Sequence, residues 1–136
     1  MKTMIKKIQT LDVMLPAEVG SLARIYNGFK EASVNVIASW GYEMGPNQAQ
    51  AHFYVTDLDK TKTTLTKMGM KPTVGNACWI EGDDKVGSYA ETLGKIAKAG
   101  VNIGATDAFS MDGRFASVLF VAEPNQFPVL CKALNI

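Results

Sequence analysis

The chain has 136 residues, of which 47% are hydrophobic and 20% charged, a composition typical of a folded globular protein rather than a fibrous or disordered one. Its 14 Lys and Arg residues are matched by 13 Asp and Glu residues, so the net charge of +1 provides no basic field for binding nucleic acid. The N-terminal residues lack the apolar core of a secretory signal, and no apolar run reaches membrane-spanning length. We therefore expect a cytoplasmic protein that binds neither nucleic acid nor membrane.

Few residues are available for catalysis or metal binding. The single histidine, His52, rules out metal sites that need two histidines, and Cys78 and Cys131 form no CxxC motif, so both are expected to be small buried hydrophobes. There is no GxxxxGK[ST] loop and no GxGxxG turn that opens a helix after a strand. We expect neither a cofactor nor a metal.

The first half of the chain predicts strand, helix, strand, strand, helix and strand. Residues 8–15 alternate as a half-buried strand does, and apolar residues over 22–32 then follow helical spacing. Strands follow at 34–40 and 49–55, joined by the turn residues GPN. A helix over 57–67 has Asp57 as its N-cap and Gly69 as its stop, and 70–74 predicts a fourth strand.

The second half repeats the first. Residues 86–105 match 19–38 at an offset of 67, and the same offset without a gap pairs Phe53 with Phe120. Strands at 101–109 and from Ala116 to Ala122 and a helix over 125–134 complete the copy. The fold class predicted is α+β, with two ferredoxin-like βαββαβ units in tandem, over 1–69 and 70–136, each an antiparallel sheet with its helices on one face.

The second copy ends directly after its last helix and so lacks a fourth strand. The N-terminal strand, the first half or another chain must fill that edge, because an unpaired edge invites aggregation. In the first half the helix-covered face should receive Leu11, Val13, Phe53 and Val55, and the open face Asp12, Gln50, His52 and Tyr54. The open face of the second half is predicted to carry Trp79, Leu119 and Val121, an apolar patch expected to be covered by a partner, either the other half or a second chain.

Each predicted strand-to-helix junction carries a glycine followed by a serine. The first reads LPAEVGSL and contains Glu18, Val19, Gly20 and Ser21; the second reads GDDKVGSY and contains Asp84, Lys85, Val86, Gly87 and Ser88. Unpaired amides at a helix N-terminus attract carboxylates, and glycine lets a ligand approach closely. The structural alternative is that glycine only lets the helix sit close to the sheet, and from the residues alone this alternative stands somewhat ahead.

The sequence around these junctions resembles the ACT domain, twice, over nearly the whole chain. The two copies read VGSLARIYNGFKEASVNV and VGSYAETLGKIAKAGVNI, and both keep the glycine before the helix and the Val-Asn at the next strand. The usual proline before that glycine is replaced by Val19 and Val86. The resemblance implies a protein that binds an amino acid between paired ACT units and regulates a metabolic enzyme or transcription.

The resemblance also implies site residues: Gly20 and Asn35 in the first copy, and Gly87 and Asn102 in the second. Asp84 resembles the loop position that holds the ligand's ammonium group, where the first copy has Ala17, so the second loop is the better equipped. The asparagines could instead stabilise the strand entry by bonding nearby backbone.

The leading hypothesis is an amino-acid-binding regulatory protein, not an enzyme, that forms a homodimer or larger homo-oligomer and acts on an enzyme partner. A second hypothesis is a ligand-free module for structure or partner binding, supported by the absent prolines and by Ala17. A weaker third is a small enzyme that uses the open sheet face at His52, for which a solvated strand histidine is the commoner explanation.

Overall fold

The computed structural model describes residues 3–136. In chain order the elements are β1 (Met4–Leu15), α1 (Ser21–Glu31), β2 (Val36–Gly45), β3 (Gln48–Val55), α2 (Leu58–Lys67), β4 (Thr73–Asp83), α3 (Ser88–Lys98), β5 (Ile103–Met111), β6 (Arg114–Val121) and α4 (Phe127–Ala133), with a 3-10 turn over Pro124–Gln126 ahead of α4. Every predicted helix and strand is present. The predicted strand over 70–74 begins instead at Thr73 and continues without a break into the first strand of the second copy.

The chain forms two compact units, residues 9–75 and residues 3–8 together with 76–136. We call them the nested unit and the outer unit, after their order in the sequence. This division differs from the linear one expected at 69/70. The reason is that β1 and β4 are long strands, of 12 and 11 residues, and each has one end in the nested unit and the other end in the outer unit.

In the nested unit the strand order is β2-β3-β1-β4. The antiparallel register places Leu11 opposite Phe53 and Val13 opposite Ala51. Their side chains form a core with residues of α1 and α2, so both helices cover the same face; the fully buried members are Leu11, Ile25, Phe53 and Leu65. The predicted helix-covered face is therefore confirmed for this unit.

In the outer unit the order is β1-β4-β6-β5, and the first residues of the chain supply the fourth strand. A Cβ placed on Gly82 would lie 3.2 Å from the Cα of Thr3, and Ile5 packs against the core of this unit. Of the three expected ways to fill the missing edge, the N-terminal strand is thus the one that the structure uses. The core combines both helices with the strands, through residues that include Cys78, Ile80, Ile96, Leu119 and Leu130.

The faces predicted for Leu119 and Val121 are wrong. Leu119 pairs with Cys78 and is fully buried in the helix-covered core, and Val121 packs against the same core. The cause is a bulge between Glu43 and Gly45 in the first hairpin, because the second hairpin has no counterpart near its turn. An alignment without a gap ignores this extra residue and therefore assigns each later side chain of the second hairpin to the opposite face of the sheet. In the structure Phe53 corresponds to Leu119, not Phe120.

Trp79 lies on the open face as predicted, opposite Val118 of β6. Trp79 is 8% exposed and Val118 is 3% exposed, which confirms that Trp79 is shielded from solvent. That a partner covers this face stays a prediction.

Candidate functional site

Both strand-to-helix junctions have the same backbone geometry. Gly20 and Gly87 are the N-cap residues of α1 and α3, with φ of 90° and 84°, a left-handed conformation that glycine adopts at little cost. No side chain caps either helix. In the described part of the chain, no hydrogen bond engages the amides of Leu22 and Ala23, which point out of the first turn of α1. This end of the helix can therefore accept an anion.

The junction in the nested unit borders a cavity of about 780 Å³. Its walls come from the junction, from the first turn of α1 and from the β2–β3 hairpin, through Leu15, Pro16, Ala17, Glu18, Val19, Ser21, Leu22, Gly41, Tyr42, Glu43, Ala49, Gln50 and Ala51. Space exists because Gly41, Ala49 and Ala51 are small and lie side by side on the two strands. We call this space the corner cavity.

Ser21 is the unusual residue of the corner cavity. It is 4% exposed, and its Oγ is the buried side-chain atom that finds no hydrogen-bond partner among residues 3–136. A buried hydroxyl without a partner is costly, by about 1–3 kcal/mol. Ser21 is also one of the residues that line the corner cavity, where the unpaired amides of Leu22 and Ala23 begin α1.

The junction in the outer unit is built differently. Ser88 donates its hydroxyl hydrogen to the carbonyl oxygen of Lys85 at 3.1 Å, so that side chain is satisfied. A cavity of about 510 Å³ lies against Asp83, Lys85, Val86 and Ser88 on the side of β1. Asp84, expected to hold an ammonium group, is exposed and is not among the residues lining that cavity; its amide donates to the carbonyl of Gly113.

Asn35 and Asn102 lie at the far ends of the helices from the glycines with which the family resemblance grouped them. Each follows a helix of 11 residues, which is about 16 Å long at 1.5 Å per residue. Their backbone carbonyls accept hydrogen bonds from Thr56 and Ala122, at the start of the sheet. Within neither unit does the structure bring the asparagine to the glycine.

His52 belongs to a polar network on the open face of the nested unit. Its Nδ1 donates to Asp12 Oδ1 at 2.6 Å, and its Nε2 hydrogen-bonds with the Tyr42 hydroxyl at 3.0 Å. Thr10 also donates to Asp12 Oδ1, and the Trp40 ring stacks on the imidazole. Sequence reasoning placed His52 on this face but missed the network, in which both ring nitrogens already have protein partners.

The two thiols are buried in the outer unit. Burial, with a smaller contribution from Cys131, raises the pKa of the Cys78 thiol to about 12, and burial raises the pKa of Cys131 as well. Neither is therefore a nucleophile near neutral pH. Among the described residues no group of acidic, His and Cys side chains is placed to hold a metal ion, and no helix there is long and apolar enough to cross a membrane.

No family model and no curated protein sequence matches the chain. Solved structures do match its fold. A protein of Bacteroides thetaiotaomicron superposes with a TM-score of 0.82 over 96% of this chain and 90% of its own, at 18% identity. The ligand-free regulatory subunit of aspartate kinase from Thermus thermophilus gives 0.67 over 98% and 94%, at 15% identity.

The aspartokinase alpha and beta subunits give a TM-score of 0.64 over 100% of this chain and 99% of theirs, at 16% identity. At such identities the likeness establishes the fold. The chain has the α+β fold predicted from its sequence, a pair of ferredoxin-like units in tandem.

Proposed function

We propose that this chain is a regulatory protein that binds a free amino acid in the corner cavity of the nested unit. The observation that carries the proposal is the buried hydroxyl of Ser21, which lacks a partner and belongs to a residue that lines that cavity. The likeness to a regulatory subunit of aspartate kinase supports the regulatory role.

The carboxylate of the amino acid would bind at the first turn of α1. The amides of Leu22 and Ala23 and the hydroxyl of Ser21 are hydrogen-bond donors there, and the positive end of the helix dipole favours an anion. Binding would give the serine the partner that it lacks in the free protein.

The hairpin side of the corner cavity suits an ammonium group, because the Glu43 carboxylate belongs to it. The other carboxylate of the wall, Glu18, lies in the junction 3.8 Å from Arg24, and the wall contains no lysine or arginine. Leu15, Ala49 and Ala51 present apolar surface for the ligand's side chain. We therefore expect amino acids with small neutral side chains to bind more tightly than aspartate or glutamate, which the carboxylates would repel.

The arrangement supports binding without catalysis. Both ring nitrogens of His52 are engaged by Asp12 and Tyr42, and the thiols are protonated and buried. The corner cavity offers hydrogen-bond donors and apolar walls, which suffice to hold a ligand.

Regulation would follow from assembly. The amide of Asn35 lies too far from Gly20 to reach the same ligand within its unit, so we propose that a second copy of the chain brings an asparagine to the corner cavity in a homodimer. A ligand that contacts one packing of the copies better than another shifts the population between them, and an enzyme partner would sense that shift.

Isothermal titration against the twenty amino acids tests the proposal, and Ser21→Ala gives the sharpest variant. We expect affinity for the bound amino acid to fall about tenfold, because a hydrogen bond to a charged group is lost. The melting temperature of the free protein should stay the same or rise, because a buried unsatisfied hydroxyl is removed. A purely structural serine would instead lower the melting temperature and leave affinity unchanged.

Ser88→Ala is the matched control, because Ser88 holds the same position in the outer unit and already bonds Lys85. The Ser88→Ala variant should bind the amino acid with the same affinity as the wild type. No heat and no thermal stabilisation with any of the twenty amino acids at millimolar concentration would remove the proposed function.

A further inference from the structure

The two units place different side chains at equivalent points of their junctions. Ala49 of β3 pairs with Leu15 and Glu43, and Phe115 of β6 pairs in the same way with Gly82 and Ser110. The first helical turns differ too, since Leu22 of α1 corresponds to Tyr89 of α3. Two aromatic rings in the outer unit thus stand where the nested unit has an alanine and a leucine.

The two rings pack against each other at that corner, and hydrogen bonds hold the tyrosine in place. The Tyr89 and Phe115 rings lie 5.2 Å apart, centroid to centroid. The Tyr89 hydroxyl hydrogen-bonds with Thr106 Oγ1 at 2.6 Å and accepts from Ser117 Oγ at 2.8 Å. Ser117 is fully buried, so this tyrosine closes its corner with a polar anchor.

The nested unit uses its tyrosine one turn later along the helix. Tyr26 hydrogen-bonds Ser39. Ser39 is the equivalent of Thr106, because Ser39 pairs with the core residue Phe53 and Thr106 pairs with its counterpart Leu119. The first turn of α1 carries Leu22 at the position equivalent to Tyr89, and Leu22 is 47% exposed. Moving the aromatic ring by one turn leaves the corner cavity open in this unit.

Tyr89 and Phe115 form part of the wall of the cavity beside Ser88, together with Thr3 and Ile5 from the N-terminal end of the chain. Among the described residues none of its wall comes from β5, whereas the corner cavity is walled by three residues of β2. The cavity of the outer unit is therefore displaced from β5 toward the N-terminal strand, and the Tyr89–Phe115 pair is part of its wall.

We infer that the chain binds one amino acid, in the nested unit only, because Tyr89 and Phe115 occupy the equivalent corner of the outer unit. This inference rests on the proposed function and adds the residues that decide which copy is a receptor. The two copies of the fold have then divided their roles, one with its hairpin corner open to the ligand and one with that corner occupied by its own aromatic rings.

Titration calorimetry with the amino acid that shifts the melting temperature most tests the inference. We expect one ligand per wild-type chain. Tyr89→Leu with Phe115→Ala installs the nested unit's residues and should raise the stoichiometry toward two. Leu22→Tyr with Ala49→Phe installs the aromatic pair in the nested unit and should reduce binding by at least a hundredfold while the outer unit stays intact.

Two ligands per wild-type chain would overturn the inference and leave the proposed function standing. So would undiminished binding by the Leu22→Tyr, Ala49→Phe variant. If no amino acid binds at all, the proposed function fails. Thermal denaturation then still tests whether the aromatic rings occupy the corner of the outer unit while the corner of the nested unit is open. Phe115→Ala should then lower the melting temperature by several degrees and Ala49→Phe should not; equal losses in both would contradict the inference.

Discussion

Gly75 stands where the structure leaves no room for a side chain. A Cβ there would lie 2.3 Å from Asp12 Oδ2 and 2.8 Å from Thr10 Oγ1. The Asp12 carboxylate cannot turn away without giving up His52, because its other oxygen accepts from the imidazole at 2.6 Å. We expect Gly75→Ala to lower the free energy of unfolding by about 2 kcal/mol, the scale of a lost hydrogen bond to a charged group, as measured by urea denaturation.

A matched control is Gly28→Ala, whose Cβ would meet the Sδ of Met68 at 2.6 Å. That thioether is flexible and can move, and alanine is the better helix former by about 1 kcal/mol, so little stability should be lost. In an Asp12→Ala background the cost of Gly75→Ala should shrink by more than half. An unchanged cost in that background would show that the polar network does not cause it.

The elements themselves could be predicted because each leaves a local pattern in the sequence. Alternation marked the strands and helical spacing marked α1 and α3, and the glycines marked the points where a strand gives way to a helix. The register of β6 could not be predicted, since the bulge between Glu43 and Gly45 leaves no mark that a gapless alignment detects. Leu119 was therefore assigned to the wrong face.

The candidate site was predictable only in part for a similar reason. The helix N-termini follow from the glycines, but the corner cavity arises where three small residues on two strands come together, which only strand pairing reveals. Nothing in the sequence distinguishes Ser21, without a partner, from Ser88, with one. The separation of Gly20 from Asn35, by contrast, could have been anticipated from the length of the helix between them.

The N-cap of α2 was predicted at Asp57, and the structure confirms it. Asp57 Oδ1 accepts from the amide of Lys60 at 3.0 Å, which satisfies one of the orphan donors of the first turn. We expect Asp57→Ala to cost about 1 kcal/mol in thermal or urea denaturation, and Asp57→Asn to cost much less because asparagine caps equally well. Equal losses for both variants would show that charge, and not capping, is responsible.

At the scale of the whole molecule, the chain order of the two units sets what can fold alone. The nested unit is continuous, residues 9–75, and contains all four of its strands. The outer unit takes its fourth strand from residues 3–8, at the other end of the chain. Cutting between the sequence repeats, after residue 69, therefore leaves the second fragment without an edge strand.

We expect the fragment 70–136 to be unfolded or aggregated, because β4 would present an unpaired edge beside an exposed core and so short a chain has little stability to spare. Rejoining residues 3–8 after residue 136 should restore folding. The nested unit connects its last helix to its last strand through residues 68–72, and in the rejoined chain residues 134–136 and Thr3 already lie between α4 and β1. A Gly-Ser linker of about six residues therefore spans the connection with length to spare.

Circular dichroism, urea denaturation and size-exclusion chromatography would compare the fragment with the rejoined chain. Cooperative unfolding and a monomeric elution volume are expected for the rejoined chain only. The same linker followed by residues 3–8 with Ile5→Asp is the control, because it supplies the strand but places a charge in the core that Ile5 packs against. A fragment 70–136 that unfolds cooperatively as a monomer would show that the outer unit does not need the N-terminal strand, and that the repeat boundary rather than strand pairing defines the folding unit.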